Sequence, residues 1–351
     1  MVIGSQRETT VVSNAPSIPG LSFRRFRDET DFKTLAEVMQ RSRDADLYEL
    51  VETPEDIADD FRHIQNCDPS KDMLFVEINR THVGFCRCEW HDRPGSVRTY
   101  EHVAHLVPEW RGKGLRHMML RENEMRLREI AKEHPSEYGK FFEVRTNFKE
   151  NHWKSLLEQE GYRPFRHNLT MLRPNLDDIP DLPMPQGLEV RPVKPEDHRI
   201  IFKAAEEAFR DEPGFAEEMF TEEGMKSLSE WRIFRQPEVW QVAWEGDEVA
   251  GGIVNGIDVE ENKKFNRNWG YTVAIFVRRA YRNRGLASAL IGRSLDALKK
   301  EGVSQAALGV DSENPSGANR LYERMGFRPF AQYTRYRKPL DFSPLQDKPL
   351  C

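Results

Sequence analysis

The residues best suited to chemistry lie where a predicted buried strand meets a predicted helix in the C-terminal half of the chain. Gly270–Val277 is rich in β-branched and aromatic residues, which predicts a strand. The loop Arg282-Asn283-Arg284-Gly285-Leu286-Ala287 follows, and apolar residues at helical spacing come after it. The first turn of a helix has unbonded N–H groups and the positive end of the helix dipole. The loop is therefore a predicted anion site suited to phosphate.

The residue types of this loop fit that prediction. Gly285 lets the backbone approach a ligand closely, and Ala287 keeps the first helical turn free of bulk. Arg282 and Arg284 add positive charge. The loop has neither the Walker pattern nor the G-x-G-x-x-G dinucleotide fingerprint, which disfavours a nucleoside-triphosphate enzyme.

A second motif follows the next predicted strand, Ala306–Val310. Its pattern is Asn314-x-x-x-Ala318-x-x-Leu321-Tyr322-x-x-x-Gly326-Phe327. Together with Arg282-x-x-Gly285-x-Ala287, in this order and at this distance, it resembles the GNAT superfamily of acyl-CoA-dependent N-acetyltransferases. The resemblance implies an α+β fold with a mixed sheet flanked by helices, acetyl-CoA as co-substrate and no metal.

The resemblance also implies roles for single residues. The strand before the loop would diverge from its neighbour, and backbone groups of Ile275, Phe276 and Val277 would hold the CoA arm in the gap. Tyr322 matches the position that protonates the leaving thiolate. A phenol ordinarily titrates near pH 10 and a thiol near 8.5. Because these values differ by only about 1.5 units, transfer of the phenol proton to the thiolate is feasible. Asn314 matches a position that hydrogen-bonds the arm. A core tyrosine and a turn asparagine are the alternatives.

The general base is left open by the sequence. Gly270–Val277 contains no Glu or His, so an ordered water, Asp311 or Glu313 is the candidate. Acidic residues at strand ends are also often only solvated. The acidic group Glu206, Glu207 and Asp211 is either a selector of a cationic amine or a solvated helix face.

Length and composition exclude several classes of protein. At 351 residues the chain predicts two domains, and a net charge of −6 argues against a nucleic-acid or anionic-membrane surface. No apolar run approaches about 18 residues, and the beginning lacks a signal-peptide pattern, so a cytoplasmic protein is expected. The cysteines, Cys67, Cys86, Cys88 and Cys351, are too scattered for a disulfide framework or a zinc site.

An internal repeat organises the chain. Gly20 and Gly187 lie 167 positions apart, Gly114 and Gly285 lie 171 apart, and the Arg-Pro-Phe segments at Arg163 and Arg328 lie 165 apart. The repeat predicts domains at 20–174 and 187–340, joined by a proline-rich linker at 175–186. Residues 1–19 are expected to be a disordered lead and residues 341–351 a mobile tail.

The N-terminal copy departs from the superfamily pattern at two positions. Arg116 lies where a small residue is expected, and Leu157, which cannot donate a proton, lies opposite Tyr322. The copy is therefore expected either to hold CoA weakly through Arg111-Gly112-Lys113-Gly114 or to hold nothing. Its predicted role is that of a scaffold.

These observations predict an N-acetyltransferase that acts, in its C-terminal copy, on a primary amine of a small molecule or peptide. The tandem layout is similar to that of the mycothiol synthases, but a layout does not identify a substrate. The alternative is a CoA-binding sensor or scaffold without turnover. A monomer or homodimer is expected, with no nucleic-acid or membrane partner.

Overall fold

The computed structural model describes residues 9–46, 53–93, 96–135, 137–210, 215, 217–222, 224–225, 235–312 and 317–340. The chain divides into two compact units, of which unit 1 is Met1–Phe165 with Thr334–Cys351 and unit 2 is Arg166–Tyr333. Each unit has a mixed sheet with helices against it, which confirms the predicted α+β fold class. Within the described residues, no helix combines the length and apolarity needed to cross a membrane.

Unit 1 is built on strands β1 to β5. Neighbours from β1 to β4 are antiparallel, and β5 runs parallel to β4. The strands are β1 (Leu21–Arg25), β2 (Met73–Ile78), β3 (Thr81–Arg93), β4 (Val97–Leu106) and β5 (Gly139–Asn147). The helices are α1 (Asp31–Asp46), α2 (Pro54–His63), α3 (Pro69–Asp72), α4 (Leu115–Lys132) and α5 (Asn151–Gln159). The predicted β2–β3 hairpin forms, with Asn79 and Arg80 at φ 49° and 67° in its turn.

Unit 2 repeats this plan. Its strands are β6 (Arg163–Arg173), β7 (Glu189–Arg191), β8 (Gln241–Glu245), β9 (Glu248–Gly256), β10 (Trp269–Val277), β11 (Gln305–Asp311) and the first part of β12 (Arg328–Pro339). Its helices are α6 (His198–Phe209), α7 (Val259–Lys264), α8 (Leu286–Lys300) and α9 (Ala318–Arg324). The strand order β7-β8-β9-β10-β11-β6 puts β10 inside the sheet, with β9 antiparallel and β11 parallel to it. The predicted helix at 221–231 falls mostly outside the described residues.

Helices α6 and α8 cover opposite faces of the unit 2 sheet. Leu290, Ile291 and Leu295 of α8 belong to one buried cluster. Ile201 and Phe202 of α6 belong to another. A Cβ on Gly270 would lie 2.7 Å from Leu298, so α8 rests directly on β10. This contact joins the last turns of α8 to the beginning of β10.

The two units differ from the predicted domains at 20–174 and 187–340. Each unit contains part of a strand that was predicted to belong to the other domain. Residues 166–173 of β6 belong to unit 2, where Asn168 to Arg173 pair antiparallel with Asp311 to Ala306 of β11. The end of β12 belongs to unit 1, where Arg335 and Arg337 contact Glu143 at 2.7 and 2.8 Å. Both strands begin with Arg-Pro-Phe, so sequence periodicity alone does not distinguish their partners.

The predicted lead and linker are partly packed. Thr10 donates its N–H to the carbonyl of Phe23 at 2.9 Å, and Val12 is buried, so this part of the lead is ordered. In the linker, Leu176 is buried, and the carbonyl of Pro180 would lie 2.7 Å from a Cβ on Gly292 of α8. The linker therefore packs against α8. Residues 1–8 and the predicted tail lie outside the described residues.

Two thiols of unit 1, those of Cys86 and Cys88, lie in its core. Cys86 and Cys88 are buried, and burial raises the pKa of the Cys86 thiol to about 12. Among the described residues, one group of potential metal ligands, Glu89, His91 and Glu101, has its ligand atoms within 4.8 Å of one another. Arg93 contacts Glu101 at 2.5 Å and Arg87 contacts Glu89 at 3.4 Å. Nearby arginines thus already balance the charge of these carboxylates.

Candidate active site

Helix α8 begins in a loop that contains two left-handed residues. Asn283 has φ 60° and Gly285 has φ 84°. No side chain caps the helix, and its first backbone bond runs from Ala289 N–H to the Gly285 carbonyl at 3.1 Å. The N–H groups of the first turn therefore point out of the helix beside a glycine without a side chain. This is the predicted anion site.

Arg282 holds the shape of this loop. Its Nε donates to the Val277 carbonyl at 3.1 Å, and its Nη2 donates to the Ala208 carbonyl at 2.9 Å. Arg111 in unit 1 makes the corresponding Nε bond, to the Leu106 carbonyl at 3.0 Å. The structure therefore gives Arg282 a positioning role within the loop that its charge alone did not predict. Arg284 is exposed, with its guanidinium 5.6 Å from the centre of the Tyr281 ring.

Strands β10 and β11 diverge beside the loop. Their parallel pairing runs from Trp269 opposite Gln305 to Thr272 opposite Leu308 and ends there, although β10 continues to Val277. The register between β10 and β9 shifts between Thr272 and Ala274, which indicates a bulge at Val273. A bulge bends the strand, and here it separates β10 from its parallel neighbour.

The divergence leaves one edge of β10 unpaired. The N–H of Arg278 donates to Ala250 of β9 at 3.0 Å. Because backbone groups of successive residues in a strand point to opposite edges, those of Ile275 and Val277 point away from β9 and into the gap. Of these groups, the Val277 carbonyl already accepts a bond from Arg282.

A cavity of ≈ 730 Å³ joins the loop, the gap and helix α9. Its walls come from the end of α6, the last residues of β10, the loop before α8, and α9. The lining residues are Ala208, Phe209, Ile275, Phe276, Val277, Tyr281, Arg282, Asn283, Gly285, Leu286, Ala287, Ser288, Gly317, Ala318, Leu321, Tyr322 and Arg324. The cavity thus brings together most of the predicted loop and strand residues and Tyr322.

Tyr322 of α9 lies in the wall of this cavity. It is 7% exposed, and its ring contacts Phe327 edge-on with 6.3 Å between centroids. Asp311, a predicted base, forms an ion pair with Arg166 at 3.2 Å. Glu313 and Asn314 lie outside the described residues. Tyr322 is therefore the predicted catalytic residue that the structure places at the cavity.

The acidic group at the end of α6 is partly used in structure. Glu206 contacts Arg210 at 2.5 Å, and Glu207 contacts Arg278 at 2.7 Å. Asp211 lies outside the described residues. The two paired carboxylates agree with the alternative interpretation of a solvated helix face.

Sequence reasoning missed a polar cluster that joins Tyr271 of β10 to the segment before this strand. The Tyr271 hydroxyl donates to Glu261 at 2.9 Å, and Arg267 donates to both residues at 2.6 and 2.5 Å. Burial raises the pKa of the Glu261 carboxyl. Alternation along β10 did not signal this cluster, because the bulge at Val273 interrupts the alternation between Tyr271 and Ile275.

In unit 1 the place of the cavity is filled. Gly112 and Gly114 have φ 72° and 80°, so the loop has the same backbone shape as in unit 2. Arg116, however, is 4% exposed and donates its Nε to the Ala104 carbonyl at 2.9 Å. Ala104 corresponds to Ile275 at the offset of 171 residues between the copies. The guanidinium of Arg116 thus occupies the strand edge that is open in unit 2.

Two further residues that the sequence did not single out complete this filling. Glu150 forms an ion pair with Arg116 at 2.7 Å, and the Trp153 ring lies 4.4 Å from the Arg116 guanidinium. At the offset of 165 residues, Trp153 corresponds to Ala318, which lines the unit 2 cavity. Beside the loop, Arg111 is held by Asp46 at 2.6 Å, and Lys113 lies over the Trp110 ring.

Part of the chain is similar to known acetyltransferases. Residues 201–327 match the acetyltransferase (GNAT) family. N-alpha-acetyltransferase 30 of Schizosaccharomyces pombe is 28% identical over 111 residues, which are 32% of this chain and 71% of that protein. Mycothiol acetyltransferase of Beutenbergia cavernae is 31% identical over 122 residues, 34% of this chain and 39% of that protein. N-alpha-acetyltransferase MAK3 of Arabidopsis thaliana is 38% identical over 95 residues, 27% of this chain and 47% of that protein.

Solved structures share the fold over nearly the whole chain. The GCN5-related N-acetyltransferase of Sphaerobacter thermophilus has a TM-score of 0.72 and 24% identity, and covers 94% of this chain and 97% of its own. The tandem GNAT protein from the clavulanic acid biosynthesis pathway has a TM-score of 0.66 and 14% identity, and covers 92% and 100%. Residues 201–327 of unit 2 thus match the acetyltransferase (GNAT) family, and over nearly its whole length the chain has the fold of solved GNAT acetyltransferases.

Proposed function

We propose that unit 2 transfers an acetyl group from acetyl-CoA to a primary amine. One observation carries the proposal: a continuous cavity runs from the uncapped beginning of α8, along the unpaired edge of β10, to Tyr322. An anion site, a channel edged with backbone hydrogen-bonding groups and a phenol are what acyl transfer from a thioester requires of its protein. All three meet in this cavity.

In this arrangement the first-turn amides of α8 bind the pyrophosphate of acetyl-CoA. The pantetheine arm lies in the gap beside β10 and bonds to its backbone as an added strand does. Ile275 offers both its N–H and its carbonyl, and Val277 offers its N–H because its carbonyl is taken by Arg282. An N–H at this edge donates to the thioester oxygen as negative charge develops on it.

The reaction then needs two proton transfers. The neutral amine attacks the thioester carbon, the new C–N bond forms, and the C–S bond breaks with its electron pair on sulfur. The phenol of Tyr322 gives a proton to the sulfur, and the nitrogen loses one. For the second transfer Asp311, Glu313 and an ordered water are the candidates. Since Arg166 already engages Asp311, a water relay is the better supported route.

The acceptor is proposed to be a small-molecule or peptide amine. Relatives named N-alpha-acetyltransferase and mycothiol acetyltransferase support both classes. The test is thiol release from acetyl-CoA by the full chain with a panel of amino-sugars, polyamines and short peptides with free N-termini. Release with one class identifies the acceptor. Tight CoA binding with no release from any amine would instead support a sensor or scaffold.

We expect the full chain to bind one acetyl-CoA. The filled strand edge in unit 1 leaves no room for a pantetheine arm, although the loop Arg111-Gly112-Lys113-Gly114 keeps the backbone shape of an anion site. Isothermal titration calorimetry should therefore give a stoichiometry of one, and Gly114→Val should leave affinity and stoichiometry unchanged. Two sites per chain, or a loss of binding on Gly114→Val, would contradict the assignment.

A further inference from the structure

A second opening in unit 2 adjoins the candidate active site. It has a volume of ≈ 500 Å³ and is lined by Arg320, Glu323, Arg324 and Arg328. Arg324 lines this opening and the larger cavity as well. We call the opening the arginine groove. The groove and the cavity therefore adjoin at Arg324.

Arg328 has a structural role in the groove. Its Nη1 donates to the carbonyls of Glu323 and Phe327 at 2.9 and 2.7 Å, which closes the end of α9. In unit 1, Arg163 makes the same two bonds, to the carbonyls of Glu158 and Tyr162 at 3.2 and 2.9 Å. Because unit 1 has these bonds beside a filled site, they do not indicate a ligand.

Arg320 and Arg324 differ from their counterparts in unit 1. They are exposed and one helical turn apart on α9, and within the described part of the chain neither guanidinium makes an ion pair or hydrogen bond. Like charges at this spacing disfavour a helix. At the offset of 165 residues, unit 1 has the uncharged Ser155 and Gln159. The pair of charges thus occurs beside the open cavity and is missing beside the filled one.

We propose that Arg320 and Arg324 bind the 3′-phosphate of acetyl-CoA, an inference that rests on the proposed function. This group is a phosphomonoester with a charge of about −1.5 to −2 at pH 7, separate from the pyrophosphate. Two guanidinium groups offer it paired, charge-assisted hydrogen bonds. Glu323 in the same groove leaves the lining with a net positive charge. The pyrophosphate lies at α8 and the 3′-phosphate beyond Arg324.

The test compares CoA with 3′-dephospho-CoA by calorimetry on the full chain. Wild-type protein should bind CoA about tenfold more tightly, the effect expected for one charged hydrogen bond. The double variant Arg320→Gln/Arg324→Gln should lose this preference and keep its affinity for dephospho-CoA. Arg293→Gln, which changes an exposed arginine of α8 outside both openings, is the matched control and should keep the preference.

Each outcome separates the two proposals. Equal wild-type affinity for both compounds, or a preference that survives in the double variant, would overturn the 3′-phosphate assignment and leave the proposed function intact. Failure of wild-type protein to bind either compound would overturn the proposed function and this inference together. Because exposed charges are screened, the preference should also shrink when the salt concentration is raised.

Discussion

Gly285→Val should lower the affinity for CoA at least about 100-fold. Gly285 has φ 84°, and no atom lies within 4 Å of the position that its Cβ would take. Valine would meet no protein clash there, but it would stand in front of the first turn of α8. Each charge-assisted hydrogen bond to a backbone amide is worth about 1.5–3 kcal/mol, so the loss of two such bonds accounts for the effect. Calorimetry on the full chain measures it.

Gly302→Val separates ligand loss from backbone strain. Gly302 has φ 80°, also has no atom within 4 Å of a Cβ, and follows the opposite end of α8. A valine in the left-handed region costs about 1–2 kcal/mol at either position. The control should therefore lose similar stability and keep its affinity for CoA. Wild-type affinity in Gly285→Val would show that the anion site lies elsewhere.

The loop could be predicted from the sequence because anion binding at a helix terminus is a local property. A strand, a glycine in the left-handed region and an uncapped helix follow one another within Gly270–Ala287. Tyr322 was predicted from the resemblance of its motif, Asn314 to Phe327, to the superfamily pattern, which also lies within one short segment. The positioning role of Arg282 could not be predicted from the sequence, because its bonds to the carbonyls of Val277 and Ala208 depend on how the loop folds back.

The remaining features depend on contacts between distant segments. Arg116 predicts crowding by itself, but the filling of unit 1 needs Trp153 and Glu150 from the following helix and loop. The offset between the copies changes from 171 to 165 along this stretch, so one alignment does not place all three residues. The unit to which the ends of β6 and β12 belong could not be predicted either, because it depends on pairing between distant segments. A period of two identifies a strand, but not the neighbour with which it pairs.

Tyr322→Phe should lower kcat about 100-fold or more and change KM little. General acid catalysis by a positioned side chain contributes about 10²–10⁴-fold, and phenylalanine cannot supply the proton. The ring would keep its edge-on contact with Phe327, because that contact does not use the hydroxyl. CoA binding and folding should therefore be preserved. Steady-state kinetics with the acceptor found in the amine panel give both constants, and a fall in kcat at constant KM identifies an interaction made only in the transition state.

Tyr336→Phe is the matched control for this change. Tyr336 is 4% exposed, close to the 7% of Tyr322, but it belongs to unit 1 and donates its hydroxyl to Glu158 at 3.0 Å. Its loss should reduce stability by about 1 kcal/mol and leave kcat unchanged. Because both variants remove one buried hydroxyl, a shared fall in kcat would indicate a general loss of folding. A wild-type kcat in Tyr322→Phe would remove the phenol from the mechanism and leave protonation of the thiolate to solvent.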